Sequence, residues 1–362
     1  MEALIMDKGF KSVAVIDDYE SFIWTDRYTG YGDFELYAPV SAAFFNFTKD
    51  GYYIWSAESE HLMTIEKNYI KSDAEDGSHV IVTGRSLESI LDRRIIWTQT
   101  TLSGSLQDGI KKLLTENIIS PSDEKRRIPN FVFKESTDEA ITKLTVDAQY
   151  TGDNLYDAIK SLCETNELGF KVILNSDLKF EFSLYFGADR SYNQKKLPYV
   201  IFSPNFENLV NSNYYESSAE LKNVALVGGE GEGSDRKFKS VYGNGVQEFP
   251  SGMDRRELFV DARDLSTKTS SKTLSATEYN AQLEQRGYDK LGENTQATGF
   301  EGDIENTDLF SYGKDFFVGD IVQIQNEYKI KATTRVVEVV ISDSSTGTTI
   351  VPTFSTPTLT KT

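Results

Sequence analysis

The chain has 362 residues, of which 39% are hydrophobic and 12% aromatic, and its formal net charge is −18. A chain of this length buries cores of its own, and the aromatic excess favours strands. The single cysteine, Cys163, excludes an intramolecular disulfide, and the negative field argues against sequence-specific binding to nucleic acid.

Hydropathy places no membrane segment in this chain. No apolar run approaches the roughly 18 residues that a membrane helix needs. The first ten residues also lack the long apolar core of a signal peptide. We therefore expect an unprocessed chain without a membrane segment, which suits assembly in a reducing cytosol.

The first part of the chain, 1–97, is predicted to be a β-barrel-like domain. Short runs with alternating apolar residues are separated by turns, a rhythm typical of a barrel or sandwich. A short helix carrying Leu87, Ile90 and Leu91 is expected to close this part. The predicted strands are 11–16, 33–38, 52–55, 61–70 and 79–83.

The middle part, 98–200, is predicted to be a smaller α+β region. Leu106, Ile110 and Ile118 recur at helical spacing, with Ser103 or Ser105 as the candidate cap.

A second helix is predicted over 155–166, capped by Asp153 and stopped by Gly169. Its inward stripe includes Leu162 and Cys163. Alternating Phe180, Phe182 and Leu184 then predict a hairpin over 170–186, with its turn at 175–177.

The last part, 201–362, is predicted to be β-rich with one inserted helix, and to contribute a second barrel-like domain. Ser275 and Glu278 have the spacing of a capping box, which marks the start of that helix. The whole chain is thus predicted to be mainly β and multi-domain, with an α+β insertion. The predicted strands are 221–227, 236–242, 316–324 and 333–342.

The rare chemical side chains indicate neither a metal site nor a nucleophile. His61 and His79 each lie in a strand pattern without a second ligand at metal-binding spacing. Cys163 follows Leu162 on a helical apolar stripe, which is typical of a small buried residue. We therefore predict no catalytic residue, no cofactor and no metal site.

The glycine-rich run 228–233 follows a predicted strand, as a phosphate-binding loop would. It does not satisfy the G-x-G-x-x-G pattern, because Ser234 occupies the last position when counted from Gly229. Glu230 and Glu232 would also repel phosphate. The run is therefore expected to be a turn between strands or a loop at a subunit contact.

Charged clusters are expected to have ordinary structural roles. Asp17 with Asp18, and the run 261–264, do not match a calcium-binding loop and are expected to form solvated turns. Arg93 and Arg94 are expected to pair with nearby acids or with a neighbouring chain, rather than with a substrate.

Several stretches together resemble the hub proteins at the tail tip of long-tailed phages, which are related to the central hub of contractile baseplates. The resemblance spans residues 30 to 340 and depends on the order of the stretches. They are GDFELYAP at 32–39, VTGRSLESILDRRI at 82–95, VGGEGEG at 227–233, RELFVDARDL at 256–265 and GKDFFVGDIV at 313–322.

The resemblance implies a trimeric hub of β-barrel-like domains joined by smaller α+β domains. Such a structural virion protein links the six-fold tail tube and distal tail ring to the three-fold tip and surrounds the DNA exit channel. Its implied partners are further copies of itself, the distal tail protein ring, the tape-measure protein, and receptor-binding proteins or fibres. Assembly in the host bacterial cytoplasm and a place at the virion tail tip are implied.

Many members of that group continue into a cell-wall peptidase or a fibre, whereas this sequence stops at Thr362 soon after its last predicted strand. A plain hub without a lysin extension is therefore expected. The alternatives are a receptor-binding protein, which would expose an aromatic shelf, and a cell-wall-degrading enzyme. A separate hypothesis holds that acidic side chains line the channel, so that DNA slides through it without binding.

Overall fold

The computed structural model describes residues 1–73, 77–209, 211–268, 273–303, 309–326, 331–355 and 358–359. It is mainly β, with 40% strand and 21% helix, which confirms the predicted fold class. The strands in chain order are β1 (Ala3–Met6), β2 (Ser12–Ile16), β3 (Ser21–Arg27), β4 (Asp33–Pro39), β5 (Tyr53–Trp55), β6 (Leu62–Asp73), β7 (Gly77–Ser86), β8 (Thr100–Ser105), β9 (Phe131–Lys134), β10 (Thr145–Tyr150), β11 (Gly169–Leu174), β12 (Phe180–Tyr185), β13 (Ile201–Phe202), β14 (Asn211–Ser217), β15 (Val224–Gly228), β16 (Phe238–Tyr242), β17 (Glu257–Asp261), β18 (Ala297–Asp303), β19 (Ile321–Gln325), β20 (Lys331–Ser344), β21 (Gly347–Phe354) and β22 (Thr358–Leu359).

Helices are fewer and lie mostly between the strand-rich ends of the chain. The α-helices are α1 (Ala42–Phe47), α2 (Leu106–Leu114), α3 (Glu139–Thr142), α4 (Leu155–Thr165) and α5 (Ala276–Gly292). Helix α2 runs on into a π-helical turn, Thr115–Ile119. Short 3₁₀ turns lie at Leu87–Arg93, Glu124–Arg126, Pro204–Phe206, Gly233–Asp235 and Gly252–Asp254.

The strand-rich ends of the chain form one sheet of 14 strands. Its main path runs β14-β18-β21-β20-β3-β4-β7-β6-β5-β1-β2, and β3 pairs antiparallel with β20. Phe22 and Trp24 from one end of the chain share a hydrophobic core with Phe202, Phe316 and Phe354 from the other. The predicted first and last regions therefore share a sheet and a core, and their division into separate domains stays a prediction.

The middle region has its own core, built from two small sheets and two helices. Ser105 caps α2, because its hydroxyl accepts the N–H of Asp108 (3.3 Å), as one of the two predicted caps would. The predicted hairpin is present as β11 and β12, and β9 adds a parallel strand. Leu102, Leu106, Ile159 and Phe182 lie in this core.

The predicted cap and stop of α4 were both wrong. The cap is Asn154, whose Oδ1 accepts the N–H of Tyr156 (2.8 Å), whereas the Asp153 carboxylate accepts the N–H of Thr151 (2.8 Å) in the preceding turn. The chain leaves the helix at Glu167, which has a φ of 51°, and Gly169 already begins β11.

A third unit follows, in which the sheet β16-β15-β17 packs on α5. The predicted capping box is present, with Ser275 and Glu278 each bonded to the backbone N–H of the other. Tyr279, Leu283 and Leu291 face the core of this unit. Helix α5 also meets the middle region, where Arg286 donates to the carbonyl of Gln149 (3.1 Å).

Two predicted strands are shorter than expected. The strand predicted over 221–227 begins at Val224, after a bend. The strand predicted over 316–324 begins only at Ile321, because Gly319 adopts a φ of 97° and turns the chain.

The main sheet and the middle region are joined around Tyr28, which follows β3 and is 2% exposed. Its hydroxyl donates to the carbonyl of Glu167 (3.0 Å). Gly169 and Gly319 both lie against the ring, and a Cβ built on Gly169 would stand 2.3 Å from a ring carbon. The Arg335 guanidinium lies 4.9 Å from the ring centroid. Three distant segments therefore meet on one side chain.

We expect Gly169→Ala to lower the free energy of unfolding by about 1–3 kcal/mol, because the added methyl group must displace the Tyr28 ring or the backbone. Urea unfolding of the purified chain measures the effect. Gly292→Ala, at the last residue of α5, is the matched control, since its Cβ would meet nothing closer than 3.5 Å. Equal unfolding midpoints for the two variants would contradict the assigned role of Gly169.

Candidate interaction surfaces

The two histidines lie apart, each against a carboxylate. His79 Nε2 lies 2.7 Å from Glu20, and His61 Nδ1 lies 3.2 Å from Glu88, as an ion pair without hydrogen-bond alignment. Among the described residues, no group of three or more His, Cys, Asp or Glu side chains is arranged to hold a metal ion.

His61, just before β6, and Glu88, in the 3₁₀ turn Leu87–Arg93, form a buried ion pair, and Glu88 also accepts the N–H of Val172 on β11 (2.8 Å). Burial opposes the charged imidazole, but the Glu88 carboxylate outweighs it and raises the pKa of His61 to about 9. Burial likewise opposes the charged form of Glu88, yet His61, the Ser86 hydroxyl and the Val172 N–H together lower its pKa. The pair therefore ties the main sheet to β11 with both charges present at neutral pH.

A cavity of about 270 Å³ lies beside this pair, lined in part by Ser59, Tyr185 and Tyr312. Below it, the buried Asp26 carboxylate accepts hydrogen bonds from Trp24 Nε1 (2.9 Å), Ser59 (2.9 Å) and Tyr312 (2.7 Å). The Asp26 carboxylate is thus engaged in structural hydrogen bonds, which form a polar network between several elements of the fold.

Cys163 lies on the inward face of α4, fully buried. Burial raises the pKa of its thiol well above the usual range, which keeps the thiol protonated and unreactive. The prediction of a small buried residue agrees with this position.

The glycine-rich run forms a packed turn, which is one of the two alternatives predicted from the sequence. A Cβ on Gly229 would lie 2.4 Å from the Tyr279 hydroxyl, which accepts the N–H of Glu230 (2.7 Å). The Glu230 carboxylate accepts the N–H and the hydroxyl of Thr267 (2.9 and 2.7 Å). Gly229 is therefore required by the packing of α5, a role that the spacing of the glycines alone could not indicate.

The acidic clusters have local partners or face solvent. Asp261 lies 2.6 Å from both Arg236 and Arg263, and Asp264 lies 3.0 Å from Arg286. Asp17 and Asp18 are exposed in the turn between β2 and β3. Their arrangement gives no calcium site.

The outer face of the sheet β16-β15-β17 is apolar and exposed, and sequence inspection did not identify it. Leu226, Phe238 and Phe259 are 42%, 49% and 54% exposed, and we call them the apolar sheet face. Leu226 lies directly opposite Phe259 in the register. The Arg236 guanidinium lies between the two aromatic rings, 5.5 and 5.4 Å from their centroids. Such a face is typical of a protein contact.

The main sheet ends in two strands that each have one neighbour among the described residues. Strand β2 pairs with β1, and β14 pairs with β18. Val15 on β2 is 57% exposed. Unpaired strand edges of this kind can accept another chain.

Among the residues that the structure describes, neither Arg93 nor Arg94 forms an ion pair with an acid, which was the first of the two kinds of partner expected from the sequence. Arg94 Nε instead donates to the carbonyl of Arg126 (2.9 Å).

Across the part of the chain that the structure describes, no helix is both long enough and apolar enough to cross a membrane.

The His61–Glu88 pair predicts a stability that falls in alkaline solution. The pKa of His61 in the folded chain, about 9, exceeds its ordinary 6.5, so the stabilisation is complete below pH 6.5 and is lost as the pH rises through 9. We expect a loss of a few kcal/mol, measured by urea unfolding at a series of pH values. Glu88→Gln should lower stability at neutral pH and flatten this dependence. An unchanged alkaline slope in that variant would contradict the assignment.

Comparison with solved structures identifies the fold as that of phage tail proteins. A tail protein from Neisseria meningitidis MC58 is 12% identical, with a TM-score of 0.55 over 98% of this chain and 95% of its own. The 43 kDa tail protein of prophage MuSo2 from Shewanella oneidensis is 10% identical, with a TM-score of 0.57 and 98% of both chains covered. Prophage tail protein gp18 from Listeria monocytogenes EGD-e is 11% identical, with a TM-score of 0.51 over 98% of this chain and 94% of its own.

These likenesses confirm, at the level of fold, the resemblance to phage tail proteins. A comparison with curated protein sequences found no match. The model of one family, described as Siphovirus ReqiPepy6 Gp37-like protein, matches residues 2–354, which is nearly the whole chain. The chain therefore belongs to the Siphovirus ReqiPepy6 Gp37-like protein family.

Proposed function

We propose that this protein is a structural component of a phage tail and that three copies form the hub of the tail tip. The family and the fold support a role in the tail. The observation that carries self-association is the apolar sheet face, which leaves Leu226, Phe238 and Phe259 in contact with water in the single chain.

Burial of this face against another copy would remove apolar and aromatic area from water, at about 25 cal/mol per Å². Arg236 suits such a contact, because its guanidinium is held by the carbonyl of Gly228 (2.8 Å) and by Asp261 (2.6 Å). Arg236 is therefore already ordered before the contact forms, which reduces the conformational entropy lost on association.

The open edges of the main sheet suit the same arrangement. A closed ring requires a heterologous contact that rotates each copy by the angle that closes the ring. In a ring of three, neighbouring copies would cover the strand edges β2 and β14 that a single copy exposes. Two barrel-like domains per copy would give such a ring a near six-fold outline. The ring would thereby link the six-fold tail tube and distal tail ring to a three-fold tip.

The proposed hub surrounds the DNA exit channel in the virion. With 56 acidic and 38 basic residues, the chain has enough negative charge to line that channel and reduce binding of DNA to its wall. The proposed neighbours are the distal tail ring, the tape-measure protein, and receptor-binding proteins or fibres. We assign the protein no enzymatic activity, and we propose that it assembles in the host cytoplasm.

We expect Leu226→Asp to shift the purified chain toward the monomer, because a buried carboxylate without a partner opposes the contact. Sedimentation over a range of protein concentrations measures the effect. Leu178→Asp is the matched control, since Leu178 is 49% exposed in the turn between β11 and β12. We expect the control to associate as the natural chain does.

Three results would count against the hub. The first is a natural chain that remains monomeric in solution and has symmetry other than three-fold in an intact tail. The second is binding of the isolated monomer to host cells through the aromatic residues of the apolar sheet face, which would favour a receptor-binding protein. The third is release of soluble fragments from purified cell wall, which would favour the enzyme.

A further inference from the structure

A positively charged patch lies where the segment after β7 meets the turn Glu124–Arg126. We call it the arginine–tryptophan patch, and its members are Arg93, Arg94, Trp97, Lys125 and Arg126. Trp97 is 66% exposed, more than any other aromatic side chain among the described residues. The Arg126 guanidinium lies 5.4 Å from the centre of its ring.

The guanidinium groups of Arg94 and Arg126 have neutral hydrogen-bond acceptors as their partners in the described part of the chain. Arg94 Nε donates to the carbonyl of Arg126 (2.9 Å), and Arg126 Nη2 donates to the carbonyl of Ile95 (2.7 Å) and to Asn117 (3.0 Å). Among the described residues, no carboxylate forms an ion pair with Arg93, Arg94 or Arg126. Arg94 and Arg126 are therefore held in place by neutral acceptors.

Most arginines elsewhere in the described part of the chain are paired with carboxylates, although Arg256 and Arg335 donate to backbone carbonyls as two of the patch arginines do. Arg27, Arg85 and Arg190 lie 2.6, 2.7 and 2.6 Å from carboxylates. Acidic residues outnumber basic ones by 56 to 38, so an acid is the expected neighbour of any cation. A cluster of unpaired cations is therefore contrary to the overall charge balance.

The cluster also has an unfavourable internal energy. Burial and the neighbouring guanidinium groups of Arg126 and Arg93 lower the pKa of Arg94, which shows that the charges repel one another. Their repulsion is relieved when a partner supplies negative charge. Arginine and tryptophan are also the side chains most enriched at the energetic centres of protein contacts.

We propose that the arginine–tryptophan patch binds an acidic surface on a neighbouring copy of this chain, an inference that rests on the trimer proposed above. The net charge of −18 places the surplus of acids outside the patch, so each copy offers the complement that the next copy requires. The exposed Asp17 and Asp18 are one such acidic element. A nucleic acid is a poorer occupant, because the field of the whole chain repels phosphate.

The test compares two double substitutions that each replace two exposed cations by two anions. Arg93→Glu with Lys125→Glu changes the patch without removing a bond that holds its shape. Lys134→Glu with Lys143→Glu is the control, in the same region but at lysines already paired with Glu181 (3.0 Å) and Glu139 (2.6 Å). We expect the patch variant to raise the dissociation constant of self-association by about tenfold or more, and the control to change it little.

The outcomes separate the two proposals. If the natural chain and the patch variant associate equally, this inference is overturned and the trimer stands. If the natural chain does not associate at all, the trimer fails in solution, and a second copy is no longer the partner. If the patch binds duplex DNA in a filter assay and Arg93→Glu with Lys125→Glu removes that binding, the occupant is a phosphate polymer and the inference is also overturned.

A cross-linking experiment identifies the occupant directly. Thr98 is exposed beside Trp97, and the buried Cys163 leaves Thr98→Cys as the reactive thiol. A photoreactive maleimide at that position is activated in a mixture of isotopically light and heavy chains. We expect mixed-isotope peptides from an acid-rich stretch of the other copy. Cross-links confined to one copy, under conditions in which the chains associate, would overturn the proposal.

Discussion

The antiparallel pairing of β3 with β20 is the constraint on which the rest of the molecule depends. Arg27, at the end of β3, donates to Glu338 on β20 (2.6 Å), and the two residues are 311 positions apart. This pairing merges both ends of the chain into one sheet and one aromatic core. The two smaller units are then insertions that must leave this sheet and return to it, which explains why each has a core of its own.

The surfaces proposed for self-association lie on different units of the chain. The apolar sheet face belongs to the third unit, whereas the arginine–tryptophan patch lies where the end of the first part meets the turn Glu124–Arg126 of the middle region. They also differ in chemistry, since one depends on removing apolar area from water and the other on charge. Two unlike surfaces on one copy suit a heterologous contact, in which each copy meets its neighbours through different faces. The negative charge on the rest of each copy would attract the arginine–tryptophan patch of its neighbour, which would favour one relative orientation of the copies over others.

Local patterns were sufficient to predict α2, α4 and α5 and the hairpin of β11 and β12, but not the short helices α1 and α3. The capping box at Ser275 and Glu278 and the alternation of Phe180 and Phe182 depend only on neighbours in sequence, and both are present. The single sheet could not be predicted, because the partner of β3 lies at the far end of the chain. The apolar sheet face was missed for a related reason. Leu226 lies between Ala225 and Val227, so its neighbours in sequence do not distinguish it from a buried residue.

The packing around Tyr28 affects how the main sheet and the middle region can move relative to each other. Its ring is enclosed by the backbone of Gly169 and Gly319 and by the side chains of Tyr185 and Arg335, so the ring has little room to shift under load. The main sheet and the middle region should therefore transmit force as one stiff body. The third unit meets the middle region in part through the long side chain of Arg286, which donates to the carbonyl of Gln149 and pairs with Asp264 of its own unit. Strain applied to a tail would accordingly concentrate at that second junction.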